Sequence, residues 1–372
     1  MTRIAFLAGH LSRRASGVRQ AVEGLSGALA ARPGLEVRVF GIDDAAWAGD
    51  RALWRGGPAQ TLARRGPAAL GVTPGLRAAL DAFAPDIVHL HGLWMYSAAV
   101  AAGWAGATGR PLVISPHGML APAALAYSPH RKRLARWAFQ DRCFARAAGY
   151  HATAPAEAAD IRAHLGDVPV ATVPNGVEDT AVPRPPWTAR ARRVVAIGRL
   201  HPVKGYDNLL RAWGLVQAAH PDWSLHIAGP DPDGHGADLR ALAADLALPR
   251  VAITGPVYGA ARDALVADSR LFALPSLTEN FALTVPEALV CGTPVMAGTG
   301  TPWGPLVAAG CGWWTDPAPE ALAATLDAAL GLPDSDLAAM GARGRDWALA
   351  EFAWPGIGAR MTAFYDSLTG QP

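Results

Sequence analysis

The chain has 372 residues, of which 51% are apolar and 17% are charged. A chain of this length is expected to fold as two domains, and its apolar share excludes global disorder. Its 33 basic and 31 acidic residues give a formal net charge of +2, too small for the concentrated basic face that nucleic-acid binding needs. We therefore expect no nucleic-acid partner.

The first half of the chain alternates short apolar segments with helical ones, which predicts a parallel sheet with helices on both faces. Strands are predicted at 3–8, 36–41, 86–91, 111–115, 150–153 and 170–173. Helices are predicted at 18–31, 97–107, 130–147 and 155–165. These elements predict a first domain over residues 1–182.

A proline-rich stretch, 175–192, then interrupts the pattern and is interpreted as a linker. Further strands are predicted at 193–197, 224–228, 251–254, 271–274 and 294–297, and helices at 319–331 and 335–351. They predict a second domain over residues 183–354. A last helix, at 357–368 within the segment 355–372, is expected to pack back on the first domain. Two doubly wound domains would leave a cleft at the carboxyl ends of their strands, where ligands bind.

Two long uncharged stretches, 87–109 and 288–315, are long enough to suggest membrane spans. Glycines and prolines break the second, and His89, His91 and Gly92 interrupt the first, so buried strands and loops are the better interpretation. The apolar run at 4–8 is too short for the core of a signal peptide. We predict no transmembrane helix and a cytoplasmic protein.

Two cations flank the turn that follows the strand at 193–197. Arg199 and Lys204 stand between the strand end at Gly198 and a helix predicted to begin near Tyr206. Free N–H groups at a helix N-terminus, together with a guanidinium and an ammonium group, suit a diphosphate. Taken alone, two solvated loop residues are an equally good interpretation.

Two glutamates, Glu279 and Glu287, follow another strand of the same predicted sheet. Their carboxylates could accept hydrogen bonds from the hydroxyl groups of a ribose and of a sugar. Each glutamate also completes a capping-box pattern, which begins at Ser276 and at Thr284 respectively. Helix capping is therefore the favoured interpretation of either glutamate alone.

The first domain carries two weaker signals. Gly17 lies in the loop 12–18, where backbone N–H groups could approach a phosphate, although an ordinary tight turn would also use a glycine. His117 follows the strand at 111–115, where its ring could hydrogen-bond a sugar hydroxyl or a leaving phosphate. A core histidine satisfied by backbone groups is the alternative.

The sequence predicts no metal site. His89 and His91 point to one face of their strand, but no third ligand stands nearby. Asp231 and Asp233 form an Asp-x-Asp pattern within a turn-rich loop, and a turn is the favoured interpretation. The three cysteines lie far apart without a CxxC motif, which argues against a disulfide framework and fits a reducing compartment.

Taken together, these motifs resemble those of the family 4 glycosyltransferases, and the resemblance covers essentially the whole chain. It rests on Gly17, His117, the segment 174–177, Arg199 with Lys204, Glu279 with Glu287, and the segment 292–295. It implies an α/β protein with the GT-B fold, in which two Rossmann-like doubly wound parallel-sheet domains face a central cleft. It also implies transfer of a sugar from a nucleotide-diphosphate donor.

The resemblance implies roles for the second domain. Arg199 and Lys204 would hold the diphosphate, and Glu287 would bind the ribose. Glu279 would bind the donor sugar. Backbone groups near this sugar would come from the four residues that follow, namely Asn280, Phe281, Ala282 and Leu283.

In the first domain, the resemblance implies that Gly17 contacts the phosphate and that His117 lines the transferred sugar. The family usually has two glycines in the first loop, whereas Ser16 precedes Gly17 here, which puts the phosphate geometry in question. The implied catalytic residues are His117, Arg199, Lys204 and Glu279.

Segments 91–94, 115–120 and 310–314 resemble a bacterial subgroup associated with exopolysaccharide and other surface-polysaccharide assembly. The implied partners are a UDP- or GDP-sugar donor and a glycan or lipid-linked glycan acceptor at the cytoplasmic face of the inner membrane. The basic and aromatic stretch 131–139 would suit a helix on a membrane surface. A solvated helix face with ordinary core aromatics is at least as good an interpretation.

The family transfers with retention at the anomeric carbon, and Arg199, Lys204 and helix N-termini could stabilise the leaving diphosphate without a metal, so no cofactor is expected. A retaining hydrolase would need two carboxylates roughly 5 Å apart, but cations beside Glu279 and Glu287 favour a phosphate substrate. A dehydrogenase lacks support, because no G-x-G-x-x-G follows a strand with a ribose-binding acid behind it. A non-catalytic two-domain sugar or nucleotide-sugar binding protein is the main alternative, although such proteins are normally exported.

Overall fold

The computed structural model describes residues 1–13 and 16–370, which form two compact units. The first unit comprises Met1–Gly176 together with the segment from Trp354 onward, and the second comprises Val177–Ala353. The chain therefore changes unit between Gly176 and Val177, earlier than the predicted boundary at 182. The backbone explains the difference, because the N–H of Val177 donates to the carbonyl of Phe352 in the second unit.

A parallel sheet forms the centre of the first unit. Its strands are β1 (Thr2–His10), β2 (Leu35–Ile42), β3 (Ala59–Leu62), β4 (Ile87–His91), β5 (Leu112–Ser115), β6 (Gly149–Ala152) and β7 (Val170–Thr172). Across the described residues their order is β3-β2-β1-β4-β5-β6-β7. All residues of β4, β5 and β6 are buried, as expected for the middle of a sheet that is covered on both faces. The order reverses between β1 and β4, where open α/β sheets bind their ligands.

Helices pack on this sheet. They are α1 (Ser16–Ala30), α2 (Trp47–Asp50), α3 (Leu76–Phe83), α4 (Tyr96–Thr108), α5 (Pro122–Ala126), α6 (Pro129–Ala135), α7 (Asp141–Arg146) and α8 (Pro155–Leu165). The helix predicted at 130–147 is present as α6 and α7, joined by a π-helical turn at Arg136–Gln140. The predicted helices near 18–31, 97–107 and 155–165 are confirmed.

The second unit has a parallel sheet of its own. Its strands are β8 (Ala191–Ile197), β9 (Ser224–Ala228), β10 (Val251–Thr254), β11 (Ser269–Leu274), β12 (Val295–Gly298) and β13 (Gly312–Thr315). Their order within the described part of the chain is β10-β9-β8-β11-β12-β13, so the switch point lies between β8 and β11. The segment predicted as a linker ends early, since β8 begins at Ala191.

The helices of the second unit flank this sheet. They are α9 (Tyr206–Val216), α10 (His235–Asp245), α11 (Gly259–Ala267), α12 (Thr284–Val290), α13 (Pro305–Ala308), α14 (Pro319–Leu330) and α15 (Asp334–Phe352). The last helix, α16 (Trp354–Thr369), returns to the first unit, where Ile357, Met361 and Tyr365 join the core beside β1. None of the described helices has both the length and the hydropathy to cross a membrane.

Candidate functional site

The loops after β8 and β11 meet at one edge of the second sheet, because the two strands are parallel neighbours. The N–H of Leu277 donates to the carbonyl of Val203 over 2.9 Å, which ties one loop to the other. Gly205 has φ +65°, and a Cβ there would lie 2.3 Å from the carbonyl oxygen of Pro275. Only glycine accommodates both the backbone conformation and this close approach. The sequence therefore builds a tight junction between the two predicted motifs.

An ion pair crosses this junction. Lys204 Nζ lies 2.5 Å from Glu279 Oε1, and the two side chains are only 19% and 15% exposed. The hydroxyl of Ser276 donates to the same carboxylate oxygen over 2.8 Å. The structure thus brings a residue predicted for the diphosphate into contact with the residue predicted for the donor sugar.

The capping interpretation of both glutamates is wrong. Glu279 lies in a loop rather than a helix, and its own N–H donates to the carbonyl of Gly300. Glu287 does lie in the first turn of α12, but the N-cap residue of that helix is Leu283, which makes no side-chain capping bond. Its Oε1 instead accepts from Arg262 Nη1 over 2.8 Å.

The pair formed by Arg262 and Glu287 is a second charged centre of the unit. Arg262 also contacts Asp263 over 2.8 Å. Burial raises the pKa of Glu287, and the positive charge of Arg262 opposes that change. Arg262 escaped the sequence analysis because an arginine on a helix is most often solvated, and nothing in its neighbourhood marks it as a partner for a distant glutamate.

Arg199 approaches an aspartate in the loop after β9. Its side chain is about half exposed, and Nη1 lies 3.9 Å from Asp233 Oδ2 in the loop after β9. That loop forms a turn at 232–233, as predicted for the Asp-x-Asp pattern. A Cβ on Gly229 would lie 1.7 Å from the carbonyl oxygen of Gly198, so the ends of β8 and β9 are closely packed beneath Arg199.

The loop between Glu279 and α12 contains a residue with a strained backbone conformation. Ala282 adopts φ +64°, which is uncommon for a residue with a side chain. The ring of Phe281 packs against Trp303 at 5.2 Å, and its carbonyl accepts from Trp303 Nε1 over 2.5 Å. This positioning holds the loop that also contains Asn280 and Leu283. Strain of this kind concentrates at functional sites, but the predicted backbone contacts with a donor stay a prediction.

In the first unit, His117 lies in the loop after β5 with φ +53°. Its Nε2 lies 3.0 Å from His91 Nδ1. Glu157 of α8 fixes this loop: one carboxylate oxygen accepts from the N–H of Gly118 and the other from the N–H of Thr153, each over 2.7 Å. Burial lowers the pKa of His117 to about 4, although the charge of Glu157 acts in the opposite direction. The imidazole is therefore neutral near pH 7.

A buried chain of hydrogen bonds accounts for His89. Its Nδ1 lies 2.6 Å from the hydroxyl of Tyr365, and its Nε2 lies 2.7 Å from Ser115 Oγ. Ser115 Oγ lies 2.7 Å from His151 Nδ1, and His151 Nε2 must donate to the carbonyl of Val173. One consistent assignment then has Tyr365 donating to His89, His89 to Ser115, and Ser115 to His151.

These hydrogen bonds show that His89 is a core histidine. Burial lowers the pKa of His89 well below its usual value, which agrees with a neutral ring. Both of its ring nitrogens already have partners within the unit. Over residues 1–13 and 16–370, no three metal-ligating side chains form a cluster.

Gly17 is the second residue of α1 and is exposed, and a Cβ there would meet no atom within 4 Å. Arg14 and Ala15, in the same predicted loop, lie outside the described residues. The donor roles implied for Gly17 and His117 therefore stay predictions.

Two family models match the chain. The one described as "Glycosyl transferase 4-like domain" matches residues 16–176, and the one described as "Glycosyl transferases group 1" matches residues 179–347. The chain belongs to the family 4 glycosyltransferases. The two matches meet where the chain passes from the first unit to the second.

Proteins named as glycosyltransferases are similar to parts of this chain. The D-inositol 3-phosphate glycosyltransferase of Acidothermus cellulolyticus is 37% identical over 148 residues, which are 34% of this chain and 32% of that protein. A GDP-mannose-dependent monoacylated alpha-(1-6)-phosphatidylinositol monomannoside mannosyltransferase of Corynebacterium glutamicum is 34% identical over 183 residues, 45% of each chain. The chain thus spans about a third to a half of the length of these curated relatives.

A solved structure matches both units. HepE of Anabaena, in complex with UDP and glucose, superposes with a TM-score of 0.80 at 20% identity and covers 99% of this chain and 100% of that chain. This likeness establishes the fold, which is the two-domain, Rossmann-like GT-B fold.

Proposed function

We propose that the chain transfers a sugar from a nucleotide-diphosphate donor, and that the donor binds at the ends of β8 and β11. The contact between Lys204 and Glu279 carries this proposal. A sugar nucleotide presents a doubly charged diphosphate next to a hydroxylated sugar, and an ammonium group beside a carboxylate suits both. The names of a GDP-mannose-dependent relative and of a UDP-glucose complex of HepE support either nucleotide.

The reaction that we propose retains the configuration at the anomeric carbon, as the family resemblance implies. The bond from that carbon to the diphosphate oxygen breaks while a bond to the acceptor hydroxyl oxygen forms on the same face. The hydroxyl proton passes to the departing diphosphate. Lys204, Arg199 and the N-terminus of α9 would stabilise the negative charge that develops, without requiring a metal. Gly17 would contact the phosphate, and the neutral ring of His117 would hydrogen-bond the transferred sugar.

For the acceptor we propose a glycan or lipid-linked glycan used in bacterial surface-polysaccharide synthesis. The support is the likeness of segments 91–94, 115–120 and 310–314 to that subgroup. With this acceptor, we propose that the enzyme works in the cytoplasm, at the inner face of the membrane.

A surface of the first unit supports peripheral membrane contact. In the segment from α5 to α7, Tyr127 is 79% exposed, Leu134 64% and Trp137 84%. The same segment carries exposed basic side chains, namely Arg131, Arg133, Arg136, Arg142 and Arg146. Aromatic and aliphatic side chains amid arginines suit the interface of an anionic bilayer.

Vesicle sedimentation tests the membrane contact. The chain should bind vesicles that contain anionic lipid, and binding should weaken in high salt. Replacing both Leu134 and Trp137 by serine should reduce binding about tenfold or more, whereas Leu215→Ser, at an equally exposed site of the second unit, should leave it unchanged. Equal binding of the two variants contradicts this contact.

Nucleotide binding and turnover test the function itself. UDP or GDP should raise the melting temperature, whereas ADP should have little effect. Arg199→Ala and Lys204→Ala should weaken nucleotide binding and slow release of the nucleoside diphosphate from its sugar. Arg77→Ala, on an exposed face of α3, is the control. Unchanged nucleotide release in both site variants contradicts catalysis here, and binding without any release or transfer favours the non-catalytic alternative.

A further inference from the structure

Tyr206 places a buried hydroxyl in the second unit that none of the assigned roles explains. It is the first residue of α9, is 1% exposed, and packs in the core with Leu209 and Leu210. Its oxygen has no hydrogen-bond partner among the residues that the structure describes. Buried hydroxyls without partners are rare because their desolvation is not repaid, so this one calls for an explanation.

The position of the hydroxyl suggests what it serves. A Cβ on Gly198 would lie 2.7 Å from the Tyr206 hydroxyl and 3.5 Å from Lys204 Cε. The hydroxyl and the end of the Lys204 side chain therefore both lie near Gly198, at the end of β8, in the region where Lys204 contacts Glu279. Burial, and then the charge of Glu279, raise the pKa of Tyr206, so the group stays protonated and can donate.

Binding of a diphosphate would change the balance at this junction. The same Lys204 ammonium group that lies against Glu279 is the one proposed to hold the diphosphate. When the phosphate oxygens draw it away, the carboxylate of Glu279 keeps Ser276 but loses its charged partner. The protonated hydroxyl of Tyr206 is then available as a replacement donor, since a largely buried carboxylate is stabilised by hydrogen bonds that replace those to water.

We propose that Tyr206 is a positioning residue for the donor: its hydroxyl, which has no partner among the described protein groups, donates to Glu279 once a nucleotide diphosphate engages Lys204. The inference rests on the proposed function, and it deepens that function by naming how Glu279 is held while it binds the sugar. The Tyr206 hydroxyl should therefore have opposite effects in the two states. It lowers the stability of the free protein and strengthens nucleotide binding in the complex.

The variant Tyr206→Phe separates these effects. The melting temperature of the free variant should equal or exceed that of the wild type, because an unpartnered buried hydroxyl is removed. The nucleotide to use is UDP or GDP, whichever raises the melting temperature of the wild type more. Its dissociation constant should rise about tenfold in the variant, as expected when a hydrogen bond to a charged group is lost. The donor KM should rise in step, and kcat should change less.

Tyr150→Phe is the matched control. Tyr150 is also buried, but its hydroxyl already donates to the carbonyl of Phe144 in the first unit, over 3.1 Å. This control should melt at a lower temperature and bind the nucleotide as the wild type does. Wild-type affinity in Tyr206→Phe overturns the inference, and so does a lower melting temperature with weaker binding, which indicates a merely structural role. A wild type that binds neither nucleotide overturns the proposed function and this inference with it.

Discussion

At the scale of single residues, the site is a set of paired charges. Lys204 lies against Glu279, and Arg262 lies against Glu287. Three of these residues could be identified from their places after strands. Their pairing could not, because Lys204 and Glu279 are 75 residues apart and meet only when β8 and β11 become neighbours. Arg262 could not be identified at all, since the partner of that arginine depends on how α11 faces α12.

The pair of Lys204 and Glu279 should couple in folding stability. Each of Lys204→Met and Glu279→Gln leaves a partly buried charge without its partner, which should lower the free energy of unfolding by about 1–3 kcal/mol, between the values for surface and buried pairs. The double variant should lose less than the sum of the two. Urea unfolding of the four proteins gives the coupling energy.

The exposed pair of Arg77 and Asp81 provides the control for that cycle. An exposed i,i+4 pair on a helix should couple by only about 0.5 kcal/mol or less. If the double variant loses as much free energy of unfolding as the two single variants together, the contact between Lys204 and Glu279 adds nothing to stability.

His117 should make stability depend on pH. Its pKa is about 4 in the folded chain and about 6.5 when unfolded, so the folded state favours the neutral ring. The contribution of His117 to the free energy of unfolding is therefore complete above about pH 6.5. It falls as the pH drops from about 6.5 to about 4, and it changes no further below that. The full difference amounts to at most about 3 kcal/mol. His89, His91 and His151, whose pKa values are also lowered, should act in the same direction.

Urea unfolding at pH 7, 6, 5 and 4 measures this dependence. His117→Asn should flatten the curve, and asparagine tolerates the positive φ at this position. His130→Gln, on an exposed helix, should leave the curve as steep as in the wild type. The assignment to His117 fails if the asparagine variant keeps the full slope between pH 6.5 and 4.

At the scale of elements, the strands in the middle of each sheet could be predicted, and two strands at the edges could not. The strand Ile87–His91 is buried throughout, and its aliphatic residues mark the middle of a parallel sheet even though two histidines interrupt them. The strands Ala59–Leu62 and Gly312–Thr315 lie at the edges of their sheets and contain no run of aliphatic residues that would mark a buried strand. The helix Gly259–Ala267, which carries Arg262, was missed because its nine residues are too few for a clear helical repeat.

Small residues allow α16 to pack closely on the first unit. A Cβ on Gly24 would lie 1.9 Å from Trp354 Cζ2, and a Cβ on Gly176 would lie 2.3 Å from another atom of the same ring. Gly24→Ala should therefore lower the free energy of unfolding by about 1–3 kcal/mol, because the tryptophan must move out of a filled space. Urea unfolding measures the change.

Gly356→Ala is the control within α16 itself, since a Cβ there meets no atom within 4 Å. It should be neutral or stabilising by up to about 1 kcal/mol, as expected for alanine in a helix. A destabilisation of both variants by the same amount would mean that helix propensity, and not contact with Trp354, sets the effect.

At the scale of the whole molecule, each unit has its own buried clusters, and the far end of the sequence completes those of the first unit. The first unit takes α16 from the far end of the sequence, and this helix supplies Met361 and Tyr365 to its core. The return of the C-terminal helix to the first domain was predicted. The hydrogen bond from Tyr365 to His89 was not predictable, because nothing local relates a tyrosine to a histidine 276 residues away.

Tyr365→Phe should weaken the first unit alone. It removes the donor that satisfies His89 Nδ1 and leaves a buried acceptor unpartnered, which should cost about 1–3 kcal/mol. Hydrogen exchange read by peptide should become faster in β4, β5 and β6, whose strands carry the histidine chain, and should stay unchanged in β8 and β11. Nucleotide affinity should also be unchanged, since Lys204 and Glu279 lie in the second unit. Equal acceleration in both sheets would mean that the two units unfold as one cooperative body, and the separate cores would then not be separate units of stability.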